Sequence, residues 1–347
     1  MIVERVERFV RDSGSGDFQE LAQGAFRLQY ERLEAYRGLC LTHGIHPDET
    51  TDWRQIPPIP ALAFKSVDLT VEPGGETFRS SGTTSERPSI HRHGFPDLYR
   101  TTIDASFPAT VLGAITSRPM LSLIPDRQQA PDSSLSFMAD HVIRHWGTAE
   151  SVTAFGARGV DARRARSFLG ARQRDRQSPL ILATAFALMQ LLEALERFDL
   201  RFRLPPGSVL FETGGYKGRS RVVPPDELRD SLEDRLALRP DTIVREYGMT
   251  ELTSQFYTAA LSGGDPFLFR PPHWVRVRIL DPETLEEVPE GDTGLVCICD
   301  LANLSSAIHL LTEDLGRAEE GGFRLLGRAA GAELRGCSLT VEELARS

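Results

Sequence analysis

From about residue 118 onward the chain alternates apolar strand, turn and amphipathic helix. PMLSLIP precedes SSLSFMADHVIRHW, SPLILAT precedes AFALMQLLEALERF, and SVLFETGG precedes PPDELRDSLEDRLAL. Parallel strands need a long crossover, and a helix is the usual one. The pattern therefore predicts an α/β fold with mostly parallel sheets flanked by helices. From residue 273 the style changes. HWVRVRIL alternates with period two, DPETLEEVPEGDTG is turn-rich and LVCICDL reads as a further strand, so a smaller antiparallel β segment is expected beside the parallel core. Before the alternation begins, Asp17 and Glu20 form a helix-capping pair. Phe18, Leu21, Phe26, Leu33 and Tyr36 follow at helical spacing, which predicts an N-terminal helical region over residues 1–56. The prolines of IPPIPALAFKS predict an irregular, rigid connector after it.

A chain of 347 residues buries a sizeable core. No stretch is apolar for long enough to span a membrane, and the charged start MIVERVERFVRDSGSG does not suit a signal peptide, so a cytoplasmic location is expected. The four cysteines are too scattered for a disulfide framework or a zinc site, and Cys297 and Cys299 share one strand face as inert, buried thiols. A net charge of -9 argues against nucleic acid as a partner. The local basic run DARRARSFLGARQRDR reads as a solvated helix and loop, with partner docking as the other reading. Only two of the 40 basic residues are lysine, Lys65 and Lys217. A lysine retained where arginine is otherwise used suits a compact point charge in a tight pocket.

Several short stretches carry groups suited to a nucleotide. In FRSSGTTSERP, amides freed by Gly82, with the hydroxyls of Ser80, Ser81, Thr83 and Thr84, can wrap a phosphate, although the run lacks the lysine of the usual nucleoside-triphosphate loop. An ordinary surface loop is the plain alternative. In SVLFETGGYKGRSR, Gly214 and Gly215 follow a parallel strand, where such sheets bind ligands, and bare backbone there admits a flat ring. DTIVREYGMTELTSQF ends another strand with Tyr247 for stacking, Thr250 for a phosphate and Glu251 for a magnesium ion. LLTEDLGR offers Asp314 as an acceptor for ribose hydroxyls.

Taken in order, SSGTT, ETGGYKGR, EYGMTE, TEDLGR and LGR resemble the motifs of the ANL superfamily of adenylate-forming enzymes. With PALAFKS, LSLIPDRQQAPDSSLSFMADHVI, DLANLSS and LGRAAGAELRGCSL, the resemblance is to the acyl-protein synthetases of the LuxE family, and it spans about residues 57 to 340. It implies an ANL-type core over 57–326, a hinge-like tail over 327–347 and the use of ATP with Mg2+. Ser80, Ser81, Gly82, Thr83 and Thr84 would handle the ATP phosphates. Gly214, Gly215 and Tyr247 would line adenine, Asp314 and Arg328 would bind ribose, Thr250 would meet the α-phosphate and Glu251 would hold magnesium. Lys217 would supply charge near the carboxylate or phosphates. Related enzymes carry an adenylation lysine in a further C-terminal domain, and two readings stay open here: Lys217 substitutes for it, or adenylation is slower.

The implied activity is that of a ligase. A carboxylic acid, most simply a long-chain fatty acid, becomes an acyl-adenylate; the acyl group then passes to the Cys337 thiol and on to a partner acyl reductase. A thiol suits that step because its thiolate is nucleophilic and its thioester stays reactive. Two other readings stay open. One is an adenylating ligase that delivers to coenzyme A or a carrier-protein thiol, and the other is a non-catalytic subunit that docks a reductase. An oligomer is compatible with each of them.

Overall fold

The computed structural model describes residues 1–80, 87–214, 225–329, 340–341 and 343–345. Two units divide the chain. The first takes residues 1–105, 249–256 and 270–347, and the second takes 106–248 and 257–269.

The second unit carries the parallel sheet that the strand–helix alternation predicts. Its strands run side by side in the order Ile243–Tyr247, Val209–Thr213, Leu180–Thr184, Met120–Ser122 and Val152–Thr153, each neighbouring pair parallel. Leu121, Ile181, Ala183, Leu210 and Ile243 point to one face. There they join Leu188, Leu191 and Leu195 of the helix Ala185–Arg197 and Leu228, Leu232 and Leu236 of the helix Pro225–Leu236 in one buried cluster. The opposite face is aromatic. Phe211 lies 5.8 Å from Phe107 and 6.1 Å from Tyr257, ring centroid to centroid, and Phe107 stacks on Trp146. Burial on both faces explains why these strands read as continuous apolar runs.

Side chains close the helix starts. The hydroxyls of Ser133 and Thr184 and the carboxylate of Asp161 accept from backbone amides of the first turns of the helices Ser134–Trp146, Ala185–Arg197 and Ala162–Asp175. The last of these is the basic run. Its Ala165, Phe168 and Leu169 are buried while most of its arginines are not, so it is an amphipathic surface helix that ends at Arg176 in the left-handed region.

In the first unit the strands Val275–Leu280, Thr293–Asp300, His309–Glu319 and Gly322–Arg328 pair consecutively and antiparallel. Cys297 and Cys299 are fully buried on the second of them, as period two requires, and Cys297 meets His309 at 3.3 Å. The helices Ile2–Arg11, Phe18–Arg32 and Glu34–Thr42 belong to this unit, and the Asp17 carboxylate caps the middle one by accepting from the Glu20 amide.

One expectation fails here. The proline-rich connector is partly regular: Ile59–Pro60 pair parallel with Leu310 and Leu311, and Ala61–Lys65 form a 3-10 turn. The neighbouring strand Gly322–Arg328 pairs only as far as Asp314, which leaves the edge at Leu310 and Leu311 open. Pro60 lacks an N–H, but at the end of a two-residue edge strand little pairing is lost.

Because Leu191 is fully buried in the helix–sheet cluster, Leu191→Ala is expected to cost about 3 kcal/mol. Urea unfolding of the variant beside the parent protein measures it.

Candidate functional site

The sequence-predicted residues fall into two groups, one in each unit. In the second unit, the parallel strands Val209–Thr213 and Ile243–Tyr247 end side by side with Glu246 opposite Thr213. Gly214 follows the first strand at φ +74°, a conformation that side chains rarely adopt, and open space lies where a Cβ would be. Tyr247 closes the second strand, buried, with its ring 6.0 Å from that of Phe269.

Glu246 points away from Tyr247 by strand alternation and accepts a hydrogen bond from the Thr213 hydroxyl. A side chain at Gly248 would displace the same carboxylate. Burial pushes the Glu246 carboxyl up to about 7, against the Thr213 hydrogen bond. On the Tyr247 face, Arg245 pairs with the buried Glu212 at 3.4 Å, donates to the Pro266 carbonyl at 3.0 Å and stacks on Phe267.

The chain crosses into the first unit between Gly248 and Met249, so the stretch YGMTE is divided. Glu251 is buried there, and burial raises its carboxyl above the usual range. A hydrogen bond from Ser89 and the nearby charge of Arg328 work in the opposite direction. Ser89 also closes the stem of the segment that contains SSGTT: its amide donates to the Ser80 hydroxyl at 2.9 Å, and its carbonyl accepts from the Ser80 amide at 3.0 Å. Ser80, Ser89 and Glu251 thus form one connected chain. Arg328 faces Asp314 across the antiparallel pair at 3.5 Å, and Thr250 is half-buried beside Glu251.

Ser81, Gly82, Thr83, Thr84, Gly215, Lys217 and Cys337 lie outside the described residues. Beyond Cys337, Thr340 and Val341 are helical, Leu344 is buried, and Glu343 meets His43 at 3.0 Å. The tail is docked on the first unit at these positions. Lys65 ends the 3-10 turn Ala61–Lys65.

A carboxylate fit for magnesium is present in Glu251. Among the described residues no cluster of three His, Cys, Asp or Glu side chains could hold a metal by itself. A magnesium ion bound through one carboxylate and substrate phosphates is compatible with that donor set.

Sequence reasoning missed the residues that hold this group from behind: Ser89, His91, His93, Asp300 and Asn303. His91 accompanies Thr250, since its Nδ1 lies 2.9 Å from the Thr250 carbonyl oxygen, and Asn303 donates to the Glu251 carbonyl at 2.9 Å. The signal was available in S-I-H-R-H, where period two places both histidines on one strand face.

A family model described as acyl-protein synthetase, LuxE, matches residues 11–345. A long-chain-fatty-acid–luciferin-component ligase of Vibrio harveyi is 24% identical over 339 residues, covering 93% of this chain and 86% of its own. A protein of the same description from Aliivibrio fischeri is 23% identical over 310 residues, covering 87% of this chain and 79% of its own. Among solved structures, a 2-hydroxyisobutyryl-CoA ligase in an open conformation, with 2-HIB-AMP and CoA, aligns with a TM-score of 0.63 at 17% identity. That match covers 89% of this chain and 74% of the ligase. A long-chain-fatty-acid–CoA ligase from Archaeoglobus fulgidus aligns with a TM-score of 0.52 at 14% identity, covering 77% of this chain and 53% of the other. At these identities the structural matches establish a shared fold, the α/β fold of the adenylate-forming ligases.

The Glu246 carboxyl gives a pH dependence whose sign is fixed. Its pKa is raised in the fold, so the folded state holds a proton that the unfolded chain releases near 4.5. Stability is therefore lost as pH rises from about 4.5 to about 7 and levels off above that. The loss totals about 3 kcal/mol relative to a neutral isostere. Glu246→Gln is expected to flatten this slope in denaturant unfolding followed between pH 5 and 7.5.

Proposed function

The chain belongs to the LuxE family of acyl-protein synthetases, and on that premise we propose that it uses ATP to activate a fatty acid as an acyl-adenylate and then carries the acyl group on Cys337. The observation that most supports the first half is the buried Glu251, joined through Ser89 to Ser80 at the stem of the SSGTT segment. A carboxylate in that position suits a polyphosphate with its magnesium. The ion, bound through Glu251 and phosphate oxygens, would neutralise charge on the phosphates.

The remaining work falls to the chain's own groups. Two anions have to meet, so positioning and charge compensation supply most of the rate. In this reading the amides and hydroxyls of residues 80–84 hold the β- and γ-phosphates, the Thr250 hydroxyl donates to the α-phosphate, and Lys217 offers its ammonium to the carboxylate or phosphates. Asp314 and Arg328, already paired at 3.5 Å, take the ribose hydroxyls. Gly214 and Gly215 leave bare backbone for adenine, with Tyr247 as the stacking ring. The acid's oxygen attacks the α-phosphorus and pyrophosphate leaves. The Cys337 sulfur then attacks the acyl carbon: a C–S bond forms, the C–O bond to AMP breaks, and the thiol proton passes to solvent.

The thioester would next be handed to a partner, for which an aldehyde-forming acyl reductase is the chemistry that fits. A second reading delivers the acyl group directly to coenzyme A or a carrier-protein thiol. The docked contact of Glu343 with His43 favours it, because it holds the chain a few residues beyond Cys337.

Adenylation predicts acid-dependent exchange of labelled pyrophosphate into ATP. Glu251→Gln is expected to lower that exchange about 100-fold, within the range for losing one electrostatic group. Absence of any exchange in the parent protein would favour a non-catalytic role. With ATP and radiolabelled fatty acid, the protein is expected to take up label that hydroxylamine releases, and Cys337→Ser to abolish it. Labelling unchanged in that variant, or release of acyl-CoA instead, would support the second reading.

A further inference from the structure

His91 and His93 lie on the buried face of the strand Ile90–His93, whose antiparallel partner Glu76–Arg79 leads into the SSGTT segment. Both rings are about 1% exposed and stand 4.5 Å apart, centroid to centroid. Buried neutral imidazoles need one donor and one acceptor matched to their surroundings, and here the partners decide which nitrogen carries the proton.

Nδ1 of His91 faces the Thr250 carbonyl oxygen at 2.9 Å, an atom that only accepts. Nδ1 therefore carries the hydrogen, and Nε2 accepts from the Ser306 hydroxyl at 3.0 Å. His93 is arranged the other way. Asn303 Nδ2 donates to the Glu251 and Ala307 carbonyls, so its Oδ1 is left to accept from the Thr253 hydroxyl at 2.8 Å. That hydroxyl has no second proton, so Nε2 of His93 must donate to it at 2.9 Å, which leaves Nδ1 as the unprotonated nitrogen, buried without a hydrogen-bond partner. Burial pushes His91 down to about 4 and holds His93 well below the usual histidine range, which keeps both rings neutral near neutral pH.

We propose that His91 and His93 are positioning residues. As neutral imidazoles of opposite tautomer, they fix the paired strands Glu76–Arg79 and Ile90–His93 against the segment 250–254, so that the stem at Ser80 and Ser89 and the groups Thr250 and Glu251 keep one register. The inference rests on the adenylation reading for its catalytic consequence, and on the hydrogen bonds alone for its structural one. Neither histidine touches the reacting atoms in this scheme; each acts through the main chain of the YGMTE stretch or the side chain of Thr253.

Two amide substitutions separate the nitrogens of His91. In His91→Asn the amide nitrogen takes the place of Nδ1 and still donates to Thr250, whereas in His91→Gln the amide takes the place of Nε2 and leaves the Thr250 carbonyl without its donor. In pyrophosphate exchange, His91→Asn is expected to stay within about threefold of the parent kcat, and His91→Gln to lose about tenfold or more in kcat with KM for the acid unchanged. Thermal midpoints of the two variants should agree. Equal activity losses in both, or losses that follow the thermal midpoints, overturn the proposal.

A second measurement does not need turnover. Backbone hydrogen–deuterium exchange of peptides covering 249–256 is expected to rise in His91→Gln and to stay near the parent level in His91→Asn. Failure to distinguish the variants there also overturns the proposal. Absence of exchange activity in the parent protein with the deuterium contrast intact would refute the adenylation reading and leave the positioning role standing.

Discussion

Four donors converge on the buried carboxylate of Asp300, and the placement of the segment 249–256 depends on them. The amides of Thr253, Ser254 and Ala302 donate at 3.2, 2.9 and 3.0 Å, and the Ser254 hydroxyl donates at 2.7 Å. Ser254 Oγ in turn accepts from the Trp274 indole at 2.8 Å. Burial pushes the Asp300 carboxyl up to about 6, so these donors do not fully offset desolvation, yet without the carboxylate each would be left unmatched in the interior. The same hydrogen bonds explain a topological fact. Residues 249–256 leave the second unit for the first, although the chain on either side of them belongs to the second. The carboxylate at the end of the strand Thr293–Asp300 receives this short excursion, and Thr250 and Glu251 come with it.

What was legible in advance follows from periodicity. The parallel strands and their helices could be read because both faces of that sheet are covered, which makes each strand a continuous apolar run ended by a turn. The antiparallel pair Val275–Leu280 and Thr293–Asp300 could be read from period two and its turn-rich connection. At the site, SSGTT, GG and YGMTE were visible because each gathers glycines, hydroxyls or a carboxylate into one short stretch of sequence. The supporting layer was not visible. Asp300 and Asn303 act on residues about 50 positions away, His91 and His93 on residues about 160 away, and no local pattern encodes such pairings. Ile59–Pro60 escaped for a related reason: a proline is excluded from a central strand but tolerated at an edge, and only the open stretch at Leu310 and Leu311 creates that edge.

The docked tail limits how Cys337 can serve as an acyl carrier. Thr340 is helical, and Glu343 and Leu344 fix the chain just beyond it. Thr340 is three residue steps after Cys337, and an extended chain advances about 3.3–3.6 Å per residue, so Cys337 stays within about 11 Å of Thr340 while the tail is docked. Acyl transfer to this thiol then requires either an adenylate inside that radius or release of the segment 340–345. Release is not prohibitive. The Glu343–His43 contact joins two side chains that are 43% and 51% exposed, a setting in which an ion pair contributes little. Exposing Leu344 costs about 2 kcal/mol. A penalty of that size lowers the population of the released state about thirtyfold, so the docked contacts of Glu343 and Leu344 are compatible with the proposed carrier role of Cys337.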